Sequence, residues 1–85
     1  MKVKLTSLEY EYIQSNFFID KIDLIKSIKS EKFDNKVILN LPDEIAEEIR
    51  EWACEKLPIV GFNEDYELNS EGKILDNFID KFYIN

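Results

Sequence analysis

The sequence predicts an α+β fold: a two-stranded sheet covered by three or four helices, in a single compact domain spanning residues 1–85. Three observations predict it. Lys2-Val-Lys-Leu5 and Lys36-Val-Ile-Leu-Asn-Leu41 carry the two-residue alternation of half-buried strands. Residues 43–57 place Ile45, Ile49, Trp52, Ala53 and Leu57 at helical spacing. Residues 70–83 do the same with Ile74, Leu75, Phe78, Ile79 and Phe82, a broad apolar face.

The first strand, 2–6, turns Val3 and Leu5 inward and runs straight into a helix start. Thr6-Ser-Leu-Glu9 is a capping box, in which Thr6 caps the helix and Glu9 reaches back to the Thr6 backbone. A helix of about 7–15 follows. Leu8 and Tyr12 pair at i,i+4; Tyr10, Ile13 and Phe17 make a second row, and Asn16 stops it.

Residues 18–29 fit a helix with Phe18, Ile22, Leu24, Ile25 and Ile28 on the apolar side, although the isoleucines keep a strand open. Residues 31–36 are polar apart from Phe33, and Asp34-Asn35 is a turn pair. The second strand, 36–41, has Val37, Leu39 and Leu41 on one face and Ile38, partly covered, on the other. Both strands feed a polar cap and then a helix, which suggests two neighbouring strands with helices on one face; a parallel pair would need a right-handed crossover.

Pro42-Asp43 opens the central helix, and Pro58 is expected to end or kink it near Leu57; if the helix recovers for another turn, Gly61 gives a left-handed stop. A polar loop pinned by Phe62, Tyr66 and Leu68 leads to Asn69 or Ser70, which caps the last helix. The helices at about 43–57 and 70–83 are expected to build the main core, with Trp52 buried in it.

Composition narrows the function. The net charge of −7 is uneven: residues 1–42 hold seven Lys and six acids, whereas residues 43–85 hold three Lys, one Arg and twelve acids. Such an acidic half disfavours direct binding to nucleic acid or to anionic membranes and suits a partner protein with a basic surface. One Cys excludes an internal disulfide, no segment reads as a signal peptide, and no apolar run approaches the roughly 18 residues of a membrane span. A cytoplasmic protein is expected.

The candidate site is a row of carboxylates. Glu44, Glu48, Glu51 and Glu55 fall within about 60° of arc at about 100° per residue, away from the apolar face. Each like-charge neighbour three or four residues away destabilises an isolated helix by a few tenths of a kcal/mol. The row reads as a docking face for a basic partner. The competing reading, from another class, is an inhibitor or immunity-type protein whose carboxylates imitate phosphates and block a nucleic-acid-binding surface. A small carboxylate hydrolase ranks last, since the chain lacks His and with it the usual general base.

No catalytic residue, cofactor or metal site is expected. The loop Asn63, Glu64, Asp65, Glu67, Asn69, Glu71 alternates oxygen ligands, but Leu68 or Ser70 stands where a calcium loop needs Gly. Cys54 lies between Glu51 and Glu55, a poor setting for a nucleophile. Gly61 and Gly72 are isolated and form no phosphate loop.

Gly61-Phe-Asn-Glu-Asp-Tyr66 and Glu71-Gly-Lys-Ile-Leu-Asp-Asn-Phe-Ile-Asp-Lys-Phe82 resemble the C-terminal part of a group of small bacterial proteins. There a Gly-Phe-Asp-x-x-Tyr segment precedes Glu-Gly and a Leu/Ile-Ile-Asp helix. The resemblance covers about the last half of the chain and implies no activity. Asn63 stands where the group carries Asp, and Pro58 interrupts the preceding helix.

Overall fold

The computed structural model describes residues 1–84, which divide into two units, residues 1–45 and residues 46 onward. The elements run β1 (Lys2–Thr6), α1 (Ser7–Asn16), a 3-10 turn (Phe18–Asp20), α2 (Ile22–Ile25), β2 (Lys29–Phe33), β3 (Lys36–Asn40), α3 (Asp43–Val60) and α4 (Ser70–Lys81). The fold is α+β, as the patterning predicts. The expected two-stranded sheet is corrected to three strands.

In the first unit the strand order is β1-β3-β2 with both pairs antiparallel, so β1 and β2 run parallel on either side of β3 and the segment from α1 to α2 crosses over between them. β1 faces β3 with Val3 opposite Leu39 and Leu5 opposite Val37, and these four side chains are buried. Each apolar side chain so buried contributes about 1.5–3 kcal/mol. Met1 extends the ladder: its ammonium donates to the Leu41 carbonyl at 2.7 Å, and the Leu41 N–H donates back to Met1 at 3.0 Å.

The capping box forms as the sequence predicts. The Glu9 N–H donates to Thr6 Oγ1 at 3.1 Å, and the Thr6 N–H donates to Glu9 Oε1 at 2.9 Å. Ile13 and Phe17 of the expected row are buried, whereas Leu8 is exposed and takes no part in the core. At the other end Asn16 donates its side-chain amide to the Tyr12 carbonyl, closing the helix where its short polar side chain predicts.

The helix expected over 18–29 does not form. A 3-10 turn and one turn of α2 replace it, Ile22 and Ile25 are exposed, and the chain then enters β2. This strand was hidden because all five of its residues are exposed, so it has no buried face to give it an alternating pattern. Its backbone ladder with β3 holds it, with Phe33 opposite Lys36 across the two-residue loop Asp34-Asn35. Asp34 has φ 51°, the positive φ of the hairpin turns that match strand twist. The Asn35 carbonyl accepts both the N–H and the hydroxyl of Ser7, tying this turn to the start of α1.

In the second unit α3 passes Pro58 and continues to Val60, correcting the stop expected near Leu57. Pro58 cannot donate to the Cys54 carbonyl, but Cys54 lies on the exposed side, where water reaches it. The Gly61 N–H then donates to the Leu57 carbonyl at 2.8 Å and completes the last turn. Gly61 does not adopt the left-handed conformation expected of it; no glycine has positive φ.

Both glycines serve close approach instead. A Cβ on Gly72 would run into the Gly61 carbonyl oxygen, and one on Gly61 would meet the Leu57 carbonyl oxygen at 2.6 Å. Asn69 joins the same junction in three ways. Its backbone N–H donates to the Gly61 carbonyl, its side-chain amide donates to the Val60 carbonyl at 2.8 Å, and its Oδ1 accepts the Gly72 N–H at 2.7 Å as the α4 cap.

From this junction α4 presents Leu75 and Phe78, and Phe82 follows at its C-cap, all three fully buried, with Phe78 and Phe82 edge-to-face at 5.8 Å. Trp52 is half-buried, with its ring 6.4 Å from Phe78, a correction to its expected place in the core.

Two stability predictions follow from the second unit. Gly72→Ala drives a methyl into the Gly61 carbonyl and is expected to cost about 3 kcal/mol in a denaturant titration, the upper end for overpacking, because backbone cannot move aside as a side chain can. Phe78→Ala is expected to cost about 3–5 kcal/mol, whereas the half-buried Trp52→Ala costs about 2 kcal/mol; an equal loss for both would contradict the burial order.

Candidate functional site

α3 is an 18-residue helix with its buried side set by Ile45, Ala46, Ile49 and Ala53. The opposite side carries every member of the predicted row: Glu44, Glu48, Glu51 and Glu55 are all exposed. Glu47, which the row omitted, is exposed too and lies one turn before Glu51. Its i,i+4 spacing to Glu51 was the signal that places it on the same flank.

The cations on this helix do not reach the row. Arg50 donates its Nε–H to the Ile79 carbonyl at 3.2 Å, and its guanidinium lies 5.0 Å from the Tyr83 ring centre. Lys56 lies 4.0 Å from Glu71 and 5.2 Å from the Trp52 ring centre. Both are thereby committed to α4 and its surroundings. Among the described residues, Glu44, Glu47, Glu48, Glu51 and Glu55 form no ion pair. The helix N-terminus offsets charge only in the first turn, where Asp43 and Glu44 lie. Asp43 also pairs with the Met1 ammonium at 3.6 Å.

One turn beyond Glu55, Ile59 extends the same flank and is 80% exposed. The flank therefore combines uncompensated charge with an apolar side chain at its end. Such a combination has the makings of a contact surface, since apolar anchors supply binding energy and charges steer approach.

The loop after α3 is organised by its own polar groups. Asn63 Oδ1 accepts the N–H groups of Asp65 and Glu67, and Phe62 bridges to Leu68. Tyr66 sits at the tip with φ 63°, 87% exposed. No group of three or more His, Cys, Asp or Glu that could hold a metal occurs among the described residues.

The first unit carries a second charged surface that the sequence did not disclose, because it needs β2. The sheet face opposite Val3, Leu5, Val37 and Leu39 bears three rows across β1, β3 and β2: Lys2-Asn40-Lys29, Lys4-Ile38-Glu31 and Thr6-Lys36-Phe33. Shallow depressions on it are lined by Lys4, Phe33, Lys36 and Ile38, and by Lys2, Lys29, Glu31 and Asn40. Lys2, Lys4, Lys29 and Lys36 form no ion pair among the described residues. Phe33 is 54% exposed.

No helix among the described residues is long and apolar enough to cross a membrane. Comparison with protein-family models, with curated proteins and with solved structures finds no match.

Because the row is a set of like charges on one flank, Glu48→Gln with Glu51→Gln is expected to leave stability equal or raise it by about 0.5 kcal/mol. Thermal unfolding at low salt measures this, and loss of the cooperative transition would make the carboxylates part of the fold instead.

Proposed function

We propose that this chain is a non-catalytic protein-interaction domain acting in the cytoplasm, and that the exposed flank of α3 docks a protein with a basic surface. One observation carries the reading. Glu47, Glu48, Glu51 and Glu55 stand bare because Arg50 and Lys56, the cations within reach, are held by Ile79, Tyr83, Glu71 and Trp52. Repulsion along the helix is relieved when a partner brings positive charge. The exposed Ile59, once covered by the partner, adds apolar contact at the end of the flank.

Catalysis by these carboxylates has little support. Paired acids work by sitting in unlike environments, and these five share one exposed flank. Direct binding to nucleic acid or a membrane is no part of the proposal for this flank, since both present negative charge.

A second reading, an inhibitor or immunity-type protein, is favoured by one feature of the same flank. The carboxylates repeat without an interleaved cation, about 6 Å apart at four-residue spacing, so they can occupy the place of phosphates on a basic surface.

Affinity capture tests both readings, with wild type beside Glu48→Gln/Glu51→Gln and each repeated after nuclease treatment. The expected result is a basic protein held by the wild type, weakened by the variant and unaffected by nuclease. A protein whose own ligand is a nucleic acid would favour the inhibitor reading. Equal retention by both forms would remove the α3 flank from the interaction.

A further inference from the structure

The open sheet face has no helix to cover it among the elements of the first unit, and its charge is opposite to that of α3. We infer that it is a docking surface for the α3 flank of a second copy of this chain. The inference rests on the reading of that flank as a protein-binding surface and names the basic partner as another copy.

Charge complementarity carries the argument. The nine-residue face holds four lysines and one acid, Glu31, for a local charge of +3. The α3 flank holds five carboxylates and no free cation. The spacings agree as well. Lys2 and Lys4 lie about 6.8 Å apart along β1, and Lys2 and Lys29 about 9.6 Å apart across β3. Along α3 the carboxylates repeat at about 6 Å for four residues and about 10.5 Å for seven.

The apolar groups match too. Ile59 is 80% exposed at the end of the acidic flank, and Phe33 and Ile38 supply the apolar part of the sheet face. A lysine ammonium on a flexible stem tolerates small mismatches in position, so the contact needs neither surface to reshape.

The two surfaces differ, so the contact is heterologous and can close into a ring or propagate as a chain. With mostly exposed ion pairs, it is weak and sensitive to salt.

Sedimentation equilibrium of the full chain before and after nuclease treatment, at rising protein concentration and at low and high salt, tests the proposal. Two charge-reversal variants accompany it: Lys4→Glu with Lys36→Glu, and Glu48→Lys with Glu51→Lys, each checked for folding by circular dichroism. Wild type is expected to exceed monomer mass at low salt and return to monomer at high salt. Each reversal variant alone is expected to associate about tenfold more weakly, and the two mixed are expected to associate again. Both variants keep a net negative charge, so overall attraction cannot produce the last result.

A wild type that stays monomeric at every concentration and low salt overturns the proposal. So does association that Lys4→Glu/Lys36→Glu leaves unchanged, since the copies would then meet elsewhere. Association that vanishes with nuclease treatment also overturns it, because the lysines would be holding a nucleic acid. A monomeric wild type that still captures a basic protein through Glu48 and Glu51 overturns only this inference and leaves the interaction-domain reading standing.

Discussion

The approach of Gly72 to the Gly61 carbonyl is the constraint on which the second unit depends. With no side chain at either position, the first turn of α4 lies against the last turn of α3, backbone on backbone. The Asn69 side chain then satisfies the Val60 carbonyl at the end of α3 and the Gly72 amide at the start of α4. Helix ends leave such groups without internal partners, so the contact that brings the helices together also supplies their caps. Direction follows from this junction: α4 leaves it with Leu75, Phe78 and Phe82 buried, and Trp52 lies against Phe78.

The bare carboxylates are a consequence of that packing. Arg50 reaches the Ile79 carbonyl and the Tyr83 ring, and Lys56 reaches Glu71 and the Trp52 ring. These contacts use the cations as packing elements, their stems and charged heads lying over apolar and aromatic groups. The opposite flank is left with like charges four residues apart. Its small cost in helix stability is offset by the burial of Ile49, Ala53 and the α4 face.

The parts legible in the sequence were those in which one residue pattern has one physical outcome. The Thr6–Glu9 capping box, the alternation that buries Val3, Leu5, Val37 and Leu39, and the apolar face of α4 form as read, and of the two caps read for α4, Asn69 and Ser70, it is Asn69 that forms. β2 was not legible, since an edge strand exposed on both faces carries no period. The glycines misled for a related reason. A turn glycine and a close-approach glycine look alike in one sequence, and only the neighbouring backbone distinguishes them. Pro58 was overread: near a helix end, facing water, it removes one donor and leaves the final turn to form. Glu44, Glu48, Glu51 and Glu55 were legible as an exposed row, Glu47 was missed, and the exposed apolar companion Ile59 depended on α3 running past that proline.

The same alternation that builds the sheet also divides the charge. In β1 Lys2 and Lys4 alternate with Val3 and Leu5, so burying one face commits positive charge to the other. β2 and β3 add Lys29 and Lys36 to that face because register places them there. A chain of net charge −7 thus acquires a locally basic surface while the excess acid gathers from residue 43 onward. Net charge governs long-range repulsion between molecules, but within a Debye length of about 8 Å at physiological salt the local arrangement decides which surfaces attract. That separation of scales lets patches of opposite local sign coexist on one acidic chain while net repulsion acts at longer range.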